Sequence, residues 1–305
     1  MEYTVEFSNN KGQKLYGIMH APAEKNLSNA GVIIFNYGLD DRAGAHRLNL
    51  KIARALSDKG QYVLRFDTKG VGFSEGELEP GSDIDNYLKI QNGIFLDDAL
   101  ASINFLSKAI LVDRIVLVGL CGGAVTALTA AARDKRIKAV ILIDVPVYLD
   151  QSVKRIKDFY SLSFWKRIFL GQLDFVKIIQ LIFIRIKGNL RKVIPGRLGN
   201  NNSNTIDRPI IGRLINKRFV QDFLFFISSK KKILFIMAES NVVGFEFNYE
   251  FRGKYLAKVP ESLYKVIYVK HANHLFHSLL AQTTLLNEIT NWITECRCND
   301  FIGGV

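Results

Sequence analysis

Along the first 145 residues, short apolar runs alternate with longer stretches of helical spacing. TVEFS and KLYGIMHA read as amphipathic strands and GVIIFNYG as a fully apolar one. HRLNLKIARALSDKG then places leucine, isoleucine and alanine on one helical face and stops at Gly60. The strand YVLRFD follows, then the loop TKGVGFSEGELEPGSD and a helix around FLDDALASINFLSKA. RIVLVGL is a strand, VTALTAAA opens a helix to about Arg133, and AVILID is another buried strand. Near-continuous Val, Ile and Leu strands alternating with helices predict an α/β protein: a doubly wound, mostly parallel sheet covered on both faces.

From Val145 the alternation stops for about eighty residues, and the chain becomes basic, aromatic and helical, as in YSLSFWKRIFLGQLDFVKIIQLIFIRIKG. It resumes with KKILFIMAES, a helix near YEFRGKYLAKV, the strand YKVIYV and a final helix, LLNEITNWITEC. The expected organisation is a core in two parts, residues 1–145 and 227–305, split by a helical cap at 146–226 whose stretch RLGNNNSNTIDRP reads as a mobile loop. Charge sharpens this division. The net charge is +12, and between Pro146 and Phe226 fifteen Lys or Arg face five Asp and no Glu. Nearly all the excess therefore sits in the cap, where it suits an anionic partner or a solvated face.

The candidate chemistry lies in Gly119-Leu120-Cys121-Gly122-Gly123, between a predicted strand and a predicted helix. A Gly-x-nucleophile-x-Gly turn is sharp enough that larger neighbours would collide, and it presents one side chain at a helix N-terminus. A thiol there gains from the helix dipole and from a nearby imidazole, both of which favour the attacking thiolate. The expected chain order is nucleophile, acid, histidine. Of His271, His274 and His277 in VKHANHLFH, directly after the last predicted strand, His274 is the candidate base. The loop after KKILFIM holds no aspartate, and by position Asn241 is expected to orient the imidazole through its carbonyl oxygen; Glu239 and Asp144 are the alternatives. The backbone N–H groups of Gly122 and Leu39 are expected to form the oxyanion hole. Arg42, His46 and Arg47, at the start of the first helix, are candidates to bind a substrate carbonyl or anion.

Other readings are weaker. Cys121, Cys296 and Cys298 make no disulfide framework, and the N-terminus lacks a signal-peptide pattern, so a cytoplasmic setting is expected. The longest apolar stretch, IIQLIFI, falls well short of the ~20 residues that span a bilayer. Gly70-x-Gly72-x-x-x-Gly76 lacks the spacing of a dinucleotide loop, and two cysteines at 296 and 298 make no zinc site, so neither a cofactor nor a metal is expected. Nothing points to nucleic acid.

The stretches NYGLDDRAGAHRLNLKIARAL, YVLRFDTKGVGFSEG, GLCGGA and ANHLF resemble the α/β-hydrolases of the serine-aminopeptidase-like group, within it those associated with exosortase and exopolysaccharide gene clusters. The likeness covers both halves of the core and not the cap. It implies an α/β-hydrolase fold with a helical cap, Cys121 as nucleophile, His274 as base and Asn241 at the acid position. Where that group commonly shows Asp at the acid position and before the histidine, this chain has Asn241 and Asn273. The expected activity is ester or thioester hydrolysis, or acyl transfer, through an acyl-enzyme. A basic cap suits an acidic acyl-carrier protein or the phosphates of coenzyme A, with peripheral membrane contact as a further role for its alternating apolar and basic residues. The rival expectation is a catalytically weak binding protein whose cap docks on an acidic partner or a membrane surface.

Overall fold

The computed structural model describes residues 1–23, 30–78, 80–112, 114–149, 214–239 and 241–300. Most of the predicted cap, including its mobile-loop stretch and its charge, lies outside them.

The sheet has eight strands: β1 (Glu2–Ser8), β2 (Lys14–His20), β3 (Ala30–Ile34), β4 (Tyr62–Phe66), β5 (Arg114–Leu120), β6 (Ile137–Ile143), β9 (Lys232–Ala238) and β10 (Tyr264–Val269). Where the chain leaves the core it forms the two-residue strand β7 (Tyr148–Leu149), and where it returns, β8 (Leu214–Ile215). The order in the sheet is β1-β2-β4-β3-β5-β6-β9-β10. β1 and β2 are antiparallel to each other, β2 is antiparallel to β4, and the remaining pairs are parallel.

The continuous apolar runs now have a reason: successive residues serve opposite faces of the sheet. Ile33, Leu64, Leu117, Val140, Leu142 and Phe235 pack on one side with α3 (Leu96–Ile110) and α4 (Gly122–Ala131). Val32, Ile34, Val63, Val118, Ile141 and Ile236 pack on the other with α1 (Leu48–Asp58) and the C-terminal helix (Leu279–Asp300).

Three elements differ from expectation. The helix α2 (Asp83–Gln91) stands where a loop runs into an unassigned stretch, and its first turn is fixed by a capping box: Ser82 Oγ accepts from Asp85 N, and Asp85 Oδ2 accepts from Ser82 N at 3.0 Å. Around YEFRGKYLAKV there is a π-turn at Phe247–Arg252 and a 3-10 turn at Leu256–Lys258 in place of a regular helix. The core also resumes earlier than residue 227. One compact unit comprises Met1–Leu149 and Ile215–Val305, and α5 (Lys217–Ser228) buries Phe219, Phe223 and Phe226 in the core. These phenylalanines explain the boundary, because the Phe219 ring packs on Phe251 and the Phe223 ring on both Phe235 and Phe251.

No helix among the described residues is long and apolar enough to cross a membrane. Because Phe223 is fully buried, Phe223→Ala should cost about 3–5 kcal/mol of stability by urea unfolding; a loss well under 1 kcal/mol would mean that α5 is not a core helix.

Candidate active site

The turn after β5 is as tight as its glycines suggest. A Cβ on Gly119 would lie 2.2 Å from the backbone of Gly123, and one on Gly123 would lie 2.4 Å from the carbonyl oxygen of Asn36. Strand, helix and the loop after β3 therefore approach more closely than any side chain allows. At the apex Cys121 has φ 52° and ψ −116°, outside the usual range of a non-glycine residue. Its N–H donates to the carbonyl of Ile143 at 2.9 Å, and its carbonyl accepts from Ala124 and Val125. The backbone is thus pinned while the sulfur projects at the N-terminus of α4.

Asp144, also at positive φ (44°), ends β6 beside it and is completely buried. Its Oδ1 accepts from the Ala238 N–H at 3.1 Å. Its Oδ2 accepts from His274 Nδ1 at 2.5 Å and from the Asn241 amide at 2.5 Å. Cys121 adjoins the same imidazole and is among the causes that raise its pKa. Burial works against a charge on this imidazole, but the hydrogen bonds and charges of Asp144 and Cys121 outweigh it, and the His274 pKa is raised to about 10. A charged imidazole beside a sulfur is the environment that favours a thiolate.

The carbonyl oxygen of Asn241 does not face the imidazole as expected. It caps α6 (Val242–Glu246) by accepting from Val243 N, which turns the amide nitrogen toward Asp144 and leaves it 3.1 Å from His274 Nδ1. A buried carboxylate, with its negative charge, occupies the orienting place, and the chain order Cys121, Asp144, His274 keeps nucleophile, acid and histidine in sequence. Glu239 is exposed, and its backbone N–H donates to the Val269 carbonyl at 3.1 Å. Of the clustered histidines only His274 reaches Asp144; His277 pairs with Asn273 at 2.6 Å, and its ring lies tilted against that of His46 with centroids 4.3 Å apart.

Gly122, the first residue of α4, has no intrahelical acceptor for its N–H. A Cβ on it would lie 3.5 Å from Gly38, so the turn Tyr37–Asp40, closed by Asp40 N to the Tyr37 carbonyl at 2.9 Å, runs directly alongside. Leu39 sits in that turn. Arg42 is engaged elsewhere: its guanidinium pairs with the buried Asp67, its N–H donates to Asp67 Oδ1 at 2.6 Å, and its charge lies 5.1 Å from the centre of the Phe73 ring. These contacts anchor the loop that carries it. His46 and Arg47 are exposed at the entry to α1, both at positive φ.

Two tyrosines in the site were not anticipated. Tyr37 stands edge-on to His274 at 5.9 Å, and burial, with the charges of Cys121, Asp40 and Asp144, pushes its hydroxyl up to about 12. The Tyr87 hydroxyl lies 3.2 Å from Cys121 Sγ. The signal available for Tyr87 was the capping box Ser82-x-x-Asp85, which marks the helix that carries it.

The sequence profile described as the alpha/beta hydrolase fold matches residues 31–175. Solved structures align over nearly the whole chain. The complex of DcsB with its substrate analogue has 17% identity and a TM-score of 0.60, covering 97% of this chain and 99% of that one. The alpha/beta hydrolase GrgF from Penicillium has 17% identity and a TM-score of 0.60, with 97% and 98% covered. An esterase of Pyrococcus furiosus has 16% identity and a TM-score of 0.58, with 97% and 91% covered. The fold is that of the alpha/beta hydrolases. In this alpha/beta hydrolase fold the elbow carries cysteine, with a histidine and a buried aspartate assembled beside it. A search of curated proteins finds no match.

Asp144→Asn should lower the His274 pKa, because it removes a cause that raises it while burial, which lowers it, remains. Asn241→Ala leaves the Asp144–His274 pair in place and should shift it less. Titration of the His274 ring by NMR checks the ranking, and the reverse order would return the orienting role to Asn241.

Proposed function

We propose that this protein cleaves or transfers acyl groups from esters or thioesters through an acyl-enzyme on Cys121. The observation that carries the reading is the line Cys121–His274–Asp144, with the sulfur on the elbow and its imidazole hydrogen-bonded to a buried aspartate. The thiolate attacks the acyl carbon and forms the S–C bond. The carbonyl electron pair moves to oxygen, which the Gly122 and Leu39 amides stabilise. As the tetrahedral species collapses, the bond to the leaving group breaks and His274 supplies that group's proton. The now neutral imidazole takes a proton from water or another acceptor, which attacks the thioester and returns the electron pair to sulfur. Asp144 holds the ring in the tautomer this requires and compensates the charge it acquires.

A thioester substrate fits best, since transfer between two sulfurs is nearly balanced in energy. The basic segment 146–226 suits an acyl-carrier protein or coenzyme phosphates, and Arg47 offers a further positive charge near the first helix.

Intact-mass measurement after incubation with a panel of p-nitrophenyl esters and acyl thioesters should find one acyl group retained per chain and mapped to Cys121. Cys121→Ala should retain none and lose turnover by at least about a thousandfold, as expected when a nucleophile is removed. Full turnover in that variant would sink the mechanism, and absence of any adduct or turnover in the parent protein would favour a binding role.

A further inference from the structure

The Tyr87 hydroxyl is held against the reacting sulfur by a helix fastened at both ends. At the N-terminus of α2 is the Ser82–Asp85 box. At its C-terminus the Gln91 carbonyl accepts from Asn216 Nδ2 at 3.0 Å, Gln91 Nε2 donates to the Tyr148 carbonyl at 2.9 Å, and the Arg218 guanidinium donates to the Asn92 carbonyl. Ile90 packs over the elbow itself, with its methyl 3.0 Å from where a Cβ on Gly122 would be. The Tyr87 ring leans on the core cluster that includes Cys121. The 3.2 Å between hydroxyl and sulfur is therefore set by a built scaffold.

We propose that Tyr87 is a catalytic residue that donates a hydrogen bond to the Cys121 thiolate, stabilising it in the free enzyme and again as the group expelled when the acyl-enzyme breaks down. This rests on the acyl-enzyme reading above. A thiolate accepts more than one hydrogen bond, and its two donors are then the His274 N–H and the Tyr87 O–H. A neutral thiol donates its proton toward His274 and accepts only weakly from Tyr87, so the second hydrogen bond is strong only when sulfur is charged. When sulfur attacks, its electron pair enters the S–C bond and the Tyr87 hydrogen bond weakens. When the acyl-enzyme is resolved, the C–S bond breaks, the pair returns to sulfur and the hydrogen bond strengthens with the developing charge. The hydroxyl thus favours the ionised sulfur at both ends of the cycle and speeds the second half-reaction. No proton leaves Tyr87 at any point.

The test compares the parent protein with Tyr87→Phe, which removes only the hydroxyl. The pH dependence of alkylation by iodoacetamide, read from the mass of the Cys121 peptide so that Cys296 and Cys298 do not contribute, reports the thiolate directly. The midpoint should rise by about one pH unit, a tenfold loss of thiolate at limiting pH, as expected for loss of one hydrogen bond to a charged group. With any ester that labels Cys121, the acyl-enzyme should also persist several-fold longer in the variant. A superimposable alkylation profile in a Tyr87→Phe protein with unchanged melting temperature overturns the proposal, whether or not Cys121 is acylated. A shifted profile without acylation of the parent protein supports Tyr87 as the donor and overturns the acyl-transfer reading.

Discussion

Asp144 is a carboxylate taken wholly out of water at the end of a central strand, and a buried acid side chain is tolerated only where its oxygens are filled by donors. The donors come from three separate stretches of chain: the end of β9 at Ala238, the cap of α6 at Asn241 and the loop after β10 at His274. Satisfying one side chain therefore brings together the C-terminal ends of β6, β9 and β10. It also raises the charge preference of the imidazole that faces Cys121. The structural requirement and the chemical one are met by the same contacts, which is why a loss at Asp144 bears on both.

The elbow supplies the other half of the site by a different means. Here the constraint is steric: Gly119 and Gly123 allow strand and helix to meet at distances where any side chain would overlap backbone. Cys121 sits between them in a strained conformation that its own backbone hydrogen bonds hold. Around it the remaining polar groups arrive from two further elements, with Tyr37 from the turn after β3 and Tyr87 from helix α2. An otherwise apolar sheet end thereby carries a sulfur, an imidazole and a buried carboxylate side by side.

The legible parts of the sequence were those governed by local rules. Apolar runs gave the strands, because each strand is covered on both faces and alternates between two cores. The glycine spacing gave the elbow and its cysteine, since only a tight turn needs that pattern. His274 was legible as well, because a cluster of histidines after a final strand has few other places to stand. By contrast, Arg42 reads as a free cation in sequence, yet it is neutralised by Asp67, a residue 25 positions further along the chain and fully buried.

The partner of the imidazole shows most directly where sequence stops. Chain position pointed to Asn241, in the loop after β9, and that residue is indeed in the site, but as a donor to the carboxylate. Asp144 ends a different strand, 130 positions before the histidine it contacts, and only the parallel pairing of β6 with β9 sets it beside that loop. The placement of α5 followed the same logic, because its phenylalanines belong to whichever surface buries them. Sequence determined the strands, the turn and the chemical types available, since these depend on neighbours a few residues apart. Tertiary structure decided which carboxylate meets the imidazole and which hydroxyl meets the sulfur, since hydrogen bonds are fixed by distances in space that chain position does not encode.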